Sequence, residues 1–218
     1  MHGAKFLLIP LMAVALAGCA SSPASHYYTL MPPAASKRDA APASQASPPP
    51  GYVIDVQPVS VPEQLDRLQI VLNDTATTQV VILNNYLWAS PLSQELRNAL
   101  SDDLSGRLGV IDVSSSGPGG DAPSWKVALA VQRFESVYGR YALLDATWQL
   151  VPVNLKDGRK VLCRASARVP VEREGVSALV SAHQEALRRL SAVIAEQLRG
   201  GKAPAEGDGV ELRGCSGL

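Results

Sequence analysis

Two periodicities organise the chain between residues 52 and 199. Leu92, Leu96, Leu100, Leu104 and Leu108 recur every four residues and draw an apolar stripe down one helix face. Ser90-Pro91 predicts the helix start, serine as cap and proline at the first helical position, and Gly109 predicts the stop. A second amphipathic helix is predicted over residues 177–199. Its stripe is Val180, Leu187, Leu190, Ile194 and Leu198, and Gly200-Gly201 ends it. His183 lies close to that stripe, which predicts a partly buried or boundary imidazole.

Elsewhere the period is two. Trp125, Val127, Leu129 and Val131 alternate with more polar positions, as do Ala142, Leu144, Ala146, Trp148 and Leu150. After an Asp157-Gly158 turn, Val161, Cys163, Ala165, Ala167 and Val169 take one face and Arg164, Ser166 and Arg168 the other. Shorter strands are predicted over residues 52–59, 68–73, 79–83 and 110–114. One apolar and one wetter face means that helices cover a single side. The fold class expected is α/β (α+β), a single mixed β-sheet with two amphipathic helices packed mainly on one face. Residues 51–200 form the domain, and residues 201–218, without periodicity, form a flexible tail. Strand parity buries Cys163 beneath the helices while Cys215 falls in that tail, so no bond is expected between them.

The N-terminus carries the sharpest motif. Lys5 precedes an apolar run over residues 6–16, which fits a secretory signal and falls short of the roughly 20 residues of a membrane span. Leu16-Ala17-Gly18-Cys19 resembles the lipobox of bacterial lipoproteins, which implies a signal peptide over residues 1–18 and acylation, palmitate included, at Cys19. Ala20 in place of aspartate implies sorting to the outer membrane. Residues 19–50 then read as a lipidated N-terminus with a short strand at His26-Tyr27-Tyr28 and a stretch dominated by proline and alanine. That stretch is a membrane tether, or a loop inside the domain if Tyr27 and Tyr28 join a sheet.

Composition narrows the chemistry. Twenty basic and twenty acidic residues balance, so the whole-chain excess of cations typical of nucleic-acid binders is missing. Three histidines, at positions 2, 26 and 183, leave little for a metal site or a Ser-His-Asp triad. The glycine-rich run over residues 115–122 lacks the Gly-Lys-Ser/Thr of a phosphate loop. No catalytic, cofactor-binding or metal-binding residue is expected.

Several stretches resemble the PqiC-type auxiliary lipoproteins of ABC-transporter-linked lipid transport. They are His26-Tyr27-Tyr28-Thr29-Leu30, Val59-Ser60-Val61-Pro62 with Leu65-Asp66-Arg67, and Asn84-Asn85-Tyr86-Leu87-Trp88-Ala89-Ser90-Pro91-Leu92 running into Glu95-Leu96-Arg97-Asn98. The resemblance implies a non-catalytic outer-membrane lipoprotein facing the periplasm. It implies docking on an inner-membrane protein with MCE domains (PqiB-like), which builds a tube for phospholipid traffic and supports envelope integrity. A homo-oligomeric ring and an acyl anchor in outer-membrane lipid are implied with it.

Two other classes compete with that reading. One is an outer-membrane assembly lipoprotein that binds a β-barrel protein, and the other is a lipoprotein hydrolase resting on His26 or His183. Candidate partner or oligomer contacts are Tyr27, Tyr28, Leu87, Trp88, Arg164 and Arg168. Trp88 reads either as packing under the sheet edge or as a subunit contact. The two arginines read either as a solvated face or as contacts to phosphates or an acidic partner. They belong to a local excess, since residues 159–202 hold nine basic and four acidic side chains.

Overall fold

A computed structural model describes residues 24–33, 50–116, 121–156, 158–201, 206–207 and 209–217. Cys19 and its lipobox, most of the Pro/Ala stretch, the centre of the glycine-rich run and Asp157 of the expected turn lie outside those residues.

Among the described residues the chain forms nine strands and two helices. In order they are β1 (His26–Tyr28), β2 (Val53–Val56), β3 (Gln69–Asn73), β4 (Val80–Trp88), α1 (Leu92–Leu108), β5 (Ser124–Val137), β6 (Tyr141–Val153), β7 (Val161–Pro170), α2 (Val176–Leu198), β8 (Glu206–Gly207) and β9 (Val210–Gly217). The fold is α+β, but the strands divide into two sheets where one was expected. A six-stranded sheet runs β2-β5-β6-β7-β9-β8 and a three-stranded one runs β1-β4-β3. The second sheet arises because β4 extends through Asn84-Asn85 to Trp88, long enough to pair antiparallel with β3 and parallel with β1.

Both helices lie on one face of the large sheet. Helix α2 crosses β6 and β7, and α1 packs on α2 and reaches β2. Leu96, Leu100 and Leu104 of α1 and Leu179, Leu190 and Ile194 of α2 close over Leu144, Trp148 and Leu150, all of them fully buried. The helix start lies one residue later than the serine cap predicts. Pro91 is the N-cap, Ser90 turns its hydroxyl elsewhere, and Asp66 from the preceding loop accepts the amide of Ser93 at 2.9 Å. Gly109 ends α1 at φ 67°, the left-handed stop expected. The strand expected over residues 110–114 is reduced to a single bridge, Asp112 with Ile54.

A bulge in β5 between Val131 and Arg133 switches the strand's parity. Val127, Leu129 and Val131 face the core before it, and Phe134 and Ser136 do so after it.

Where a flexible tail was expected over residues 201–218, the described residues form strands β8 and β9. Strand β9 pairs antiparallel along β7, with Cys163 opposite Cys215, and the two are joined as a disulfide. The expectation of free thiols fails for a physical reason. Parity does bury Cys163, but directly paired antiparallel residues share a face. A bulge between Arg164 and Ala165 lets β9 present Val210, Leu212 and Cys215 to that same inner face. Gln197, in the last turn of α2, donates to Cys163 Sγ at 3.1 Å and accepts the indole N–H of Trp148 at 2.7 Å.

Candidate functional site

The N-terminal segment is fixed to the domain by one buried carboxylate. Glu95 sits on the buried side of α1 and stays only 4% exposed. Its Oε2 accepts the Thr29 hydroxyl at 2.7 Å and the Leu30 amide at 2.9 Å, and its Oε1 accepts the Ser90 hydroxyl at 2.7 Å. From α2, Gln184 donates to the carbonyls of Thr29 (3.0 Å) and Met31 (3.2 Å). Strand β1 adds its ladder with β4, and the Ala89 amide donates to Tyr28 O at 2.7 Å. Leu30 is buried in the core below. A burying carboxylate costs free energy unless hydrogen bonds satisfy it, and here three donors do so.

Three of the motifs that carry the family resemblance thus meet at the start of α1, and the one that holds Ser60 pairs with β5. Tyr28-Thr29-Leu30 docks on Trp88-Ala89-Ser90 and Glu95, Asp66 caps the same helix, and Ser60 hooks onto β5 through Leu129 and Val131. Strand β1 pairs with β4, so Tyr27 and Tyr28 join a sheet, while most of the Pro/Ala stretch after them lies outside the described residues.

The wetter face of the large sheet carries an open cleft of about 630 Å³. Arg133, Arg140, Arg168 and Arg213 line it with Glu135 and Glu211, above a floor of Leu143 and Ser166. These cations are not equally committed. Arg164, just outside the cleft, clamps Asp145 with two bonds of 2.9 and 3.0 Å over a buried carboxylate, which raises the arginine above its ordinary value. Arg133 bonds Glu135, and Glu135 also accepts the Tyr141 hydroxyl at 3.1 Å. Burial first, and Glu135 after it, raise the Tyr141 phenol. Arg168 lies 3.7 Å above the Tyr141 ring and has no ion pair among the described residues. The cleft can therefore receive an anionic oxygen at Arg168 without first breaking a salt bridge.

The sequence candidates separate accordingly. Tyr27 is 68% exposed on the outer edge of the small sheet, and Tyr28 and Leu87 are half-buried in its ladder. Trp88 is 2% exposed, edge-on to Phe134 with centroids 6.2 Å apart, and so packs the core. Arg164 holds an internal acid, and Arg168 is the available cation.

His183 is wholly buried rather than at a boundary. Its Nε2 lies 2.8 Å from Ser136 Oγ and its ring stacks on Phe134 at 3.9 Å. Burial holds it neutral, with its pKa lowered to about 3. A serine beside an imidazole has the spacing of a nucleophile and base, but both side chains are sealed in the core. Sequence reasoning missed Glu95, Gln184 and Tyr141. The signal for Glu95 was an acid on the leucine-stripe side of a predicted helix, between Leu92 and Leu96.

Among the described residues no group of three or more His, Cys, Asp or Glu could hold a metal ion, and no helix is long and apolar enough to cross a membrane.

Comparison with known proteins agrees with the motifs. The intermembrane transport lipoprotein PqiC of Escherichia coli is 34% identical over 146 residues, covering 67% of this chain and 74% of its own, and PqiC of Shigella flexneri matches equally. A solved structure of an uncharacterized protein superposes with a TM-score of 0.61 at 25% identity, over 81% of this chain and 99% of its own. A crystal structure from Xanthomonas campestris, at 17% identity and a TM-score of 0.54, covers 71% of this chain and 87% of its own and shares the fold. The family model for the ABC-type transport auxiliary lipoprotein component matches residues 28–195, from the last residue of β1 into the last turns of α2. The chain belongs to that family of auxiliary lipoproteins.

Proposed function

We propose that this protein is a non-catalytic lipoprotein of the outer membrane. Anchored through acylated Cys19, it docks the periplasmic end of an MCE-domain inner-membrane protein for phospholipid traffic between membranes, and so supports envelope integrity. The observation that carries the reading is the locked N-terminal strand. Only residues 20–25 separate Cys19 from β1, a reach of at most about 25 Å. A domain so tightly leashed acts at the membrane surface, where anchoring raises its effective concentration towards a partner arriving there. Kinship with an intermembrane transport lipoprotein supports the same role.

Docking falls to the cleft on the wetter sheet face, where Arg168 meets an anionic oxygen at the rim of the partner tube, from acidic side chains or from a lipid phosphate. A ring of identical subunits, with Tyr27 and Leu87 near the contacts, suits a closed rim better than one subunit does. Co-purification of the full-length acylated protein with its MCE partner from detergent extracts tests this. A stoichiometric complex is the expected result. Acylated, folded protein that never retains the partner, while turning over an ester or phosphate substrate, overturns it.

A further inference from the structure

The β3–β4 hairpin ends in an unusual surface. Val80, Val81 and Ile82 are consecutive on β4 and are 56%, 51% and 42% exposed, so both faces of the strand stand clear of the domain. Asp74 is the only charged side chain between Arg67 and Glu95. Its carboxylate is occupied within its own turn by the Ala76 amide (2.8 Å) and the Thr77 hydroxyl (2.9 Å). The turn otherwise carries Thr75, Ala76, Thr77, Thr78 and Gln79. Strand β1 pairs only with Tyr86–Trp88, so over Val80–Leu83 strand β4 has β3 on one side and an open edge on the other. Open edges in water are normally guarded by charge, and this stretch is not.

The strand register says where this tip points. Strand β1 runs parallel to β4, with His26 opposite Tyr86. The chain before His26 therefore leaves towards the low-numbered end of β4, the end that carries Val80. Cys19 precedes His26 by seven residues and Val80 precedes Tyr86 by six, so anchor and tip are within reach of the same plane.

A second turn stands beside the tip. Arg140, in the turn between β5 and β6, donates to Thr75 at 2.7 Å, and Tyr138 in that turn is exposed. Tyrosine and arginine flanking an apolar tip suit the boundary between phospholipid headgroups and acyl chains.

Resting on the reading of Cys19 as the acyl anchor, we propose that the β3–β4 hairpin tip is a second membrane contact. Val80, Val81 and Ile82 enter the headgroup–acyl boundary of the bilayer that holds the anchor, with Tyr138 and Arg140 at headgroup level. The two contacts together fix the domain's orientation, so that its wetter face is presented at a constant angle rather than swivelling on a single point.

Site-directed spin labelling tests this in the full acylated protein reconstituted into phosphatidylethanolamine/phosphatidylglycerol vesicles. With Cys19 acylated and Cys163 bonded to Cys215, a Val81→Cys variant carries the sole free thiol. The expected result is a nitroxide at 81 that collides several-fold more often with membrane-dissolved oxygen than with an aqueous nickel chelate. A label at Lys160→Cys, at the opposite end of the large sheet, shows the reverse. Protein that floats with the vesicles while its label at 81 is as accessible to nickel as the label at 160 overturns the membrane contact. A label at 81 that is shielded equally in unacylated Cys19→Ser protein without vesicles also overturns it, and assigns the tip to a second copy of the chain. Protein that fails to float at all instead refutes the anchor reading, which separates the two claims.

Discussion

Replacing Glu95 by alanine isolates what holds β1, and with it the length of the leash. Three donors converge on this carboxylate, from Thr29, Leu30 and Ser90. On truncation the Thr29 and Ser90 hydroxyls, exposed and half-buried, recover partners in water. The Leu30 amide, above a fully buried side chain, does not. An unsatisfied buried donor costs about 1–3 kcal/mol and loss of the charge-assisted bonds adds to it, so Glu95→Ala should weaken β1 docking by about 3 kcal/mol. That corresponds to an increase of about a hundredfold in the opening of residues 27–31. Glu95→Gln keeps an acceptor oxygen and should cost about 1 kcal/mol, in the range of one neutral hydrogen bond. Hydrogen exchange on the mature full-length protein reads this directly, with peptides from α2 as the internal reference. Exchange of residues 27–31 at the wild-type rate in Glu95→Ala would refute the reasoning. With Cys19 as the proposed acyl anchor, freeing β1 would add the Pro/Ala stretch to the tether and lengthen its reach from about 25 Å to about 100 Å.

Three further outcomes are expected. Cys215→Ala removes a bond that closes a 52-residue separation, and in the chain-entropy account this costs about 4 kcal/mol of stability. The unfolding free energy from urea titration should be lower by that amount in the variant than in the oxidised wild-type protein, and the variant's midpoint should cease to respond to reductant. His183 stays neutral when folded down to a pKa of about 3, while the unfolded chain takes its proton near 6.5. Its contribution is therefore complete above pH 6.5 and is lost as pH falls, by about 3 kcal/mol at pH 4.5. His183→Gln should flatten the denaturation-derived stability between pH 6.5 and 4.5 by that amount. The two arginines should also separate. Arg164→Ala lowers the melting temperature because it strips a buried Asp145 of its partner, whereas Arg168→Glu leaves it unchanged and weakens partner binding about tenfold in a titration.

Much of this architecture was legible because it is repetitive. The leucine stripe of α1, the stripe of α2 and the alternation along β5, β6 and β7 each report one face of one element, and that is information a sequence carries locally. The features that escaped depend on registration between distant segments. Strand β9 follows Gly209, has glycine at 214 and 217 and a bulge at Arg213, so no alternation announces it. Its position is set by pairing with β7. The cysteines followed from that: parity placed Cys163 correctly, and only the partner strand's existence decides the bond. Asn84-Asn85 similarly hid the continuation of β4, hence the second sheet. At the candidate site, the arginines on the wetter face were readable from parity, but which one was already committed to an acid was not. Asp145 sits on the neighbouring strand opposite Ser166, and no spacing in the sequence connects it to Arg164.

Docking of the wetter sheet face on an MCE-domain partner at the membrane leaves a trace that crosslinking can read. A photoreactive amino acid in place of Glu211, on the rim of the Arg168 cleft, tests it in living cells, with a second at Ser181 on the exposed side of α2 as control. Docking by that face gives an ultraviolet-dependent adduct with the MCE-domain protein from position 211 and none from 181. Adducts with a β-barrel protein alone, or equal adducts with the MCE protein from both positions, would contradict it.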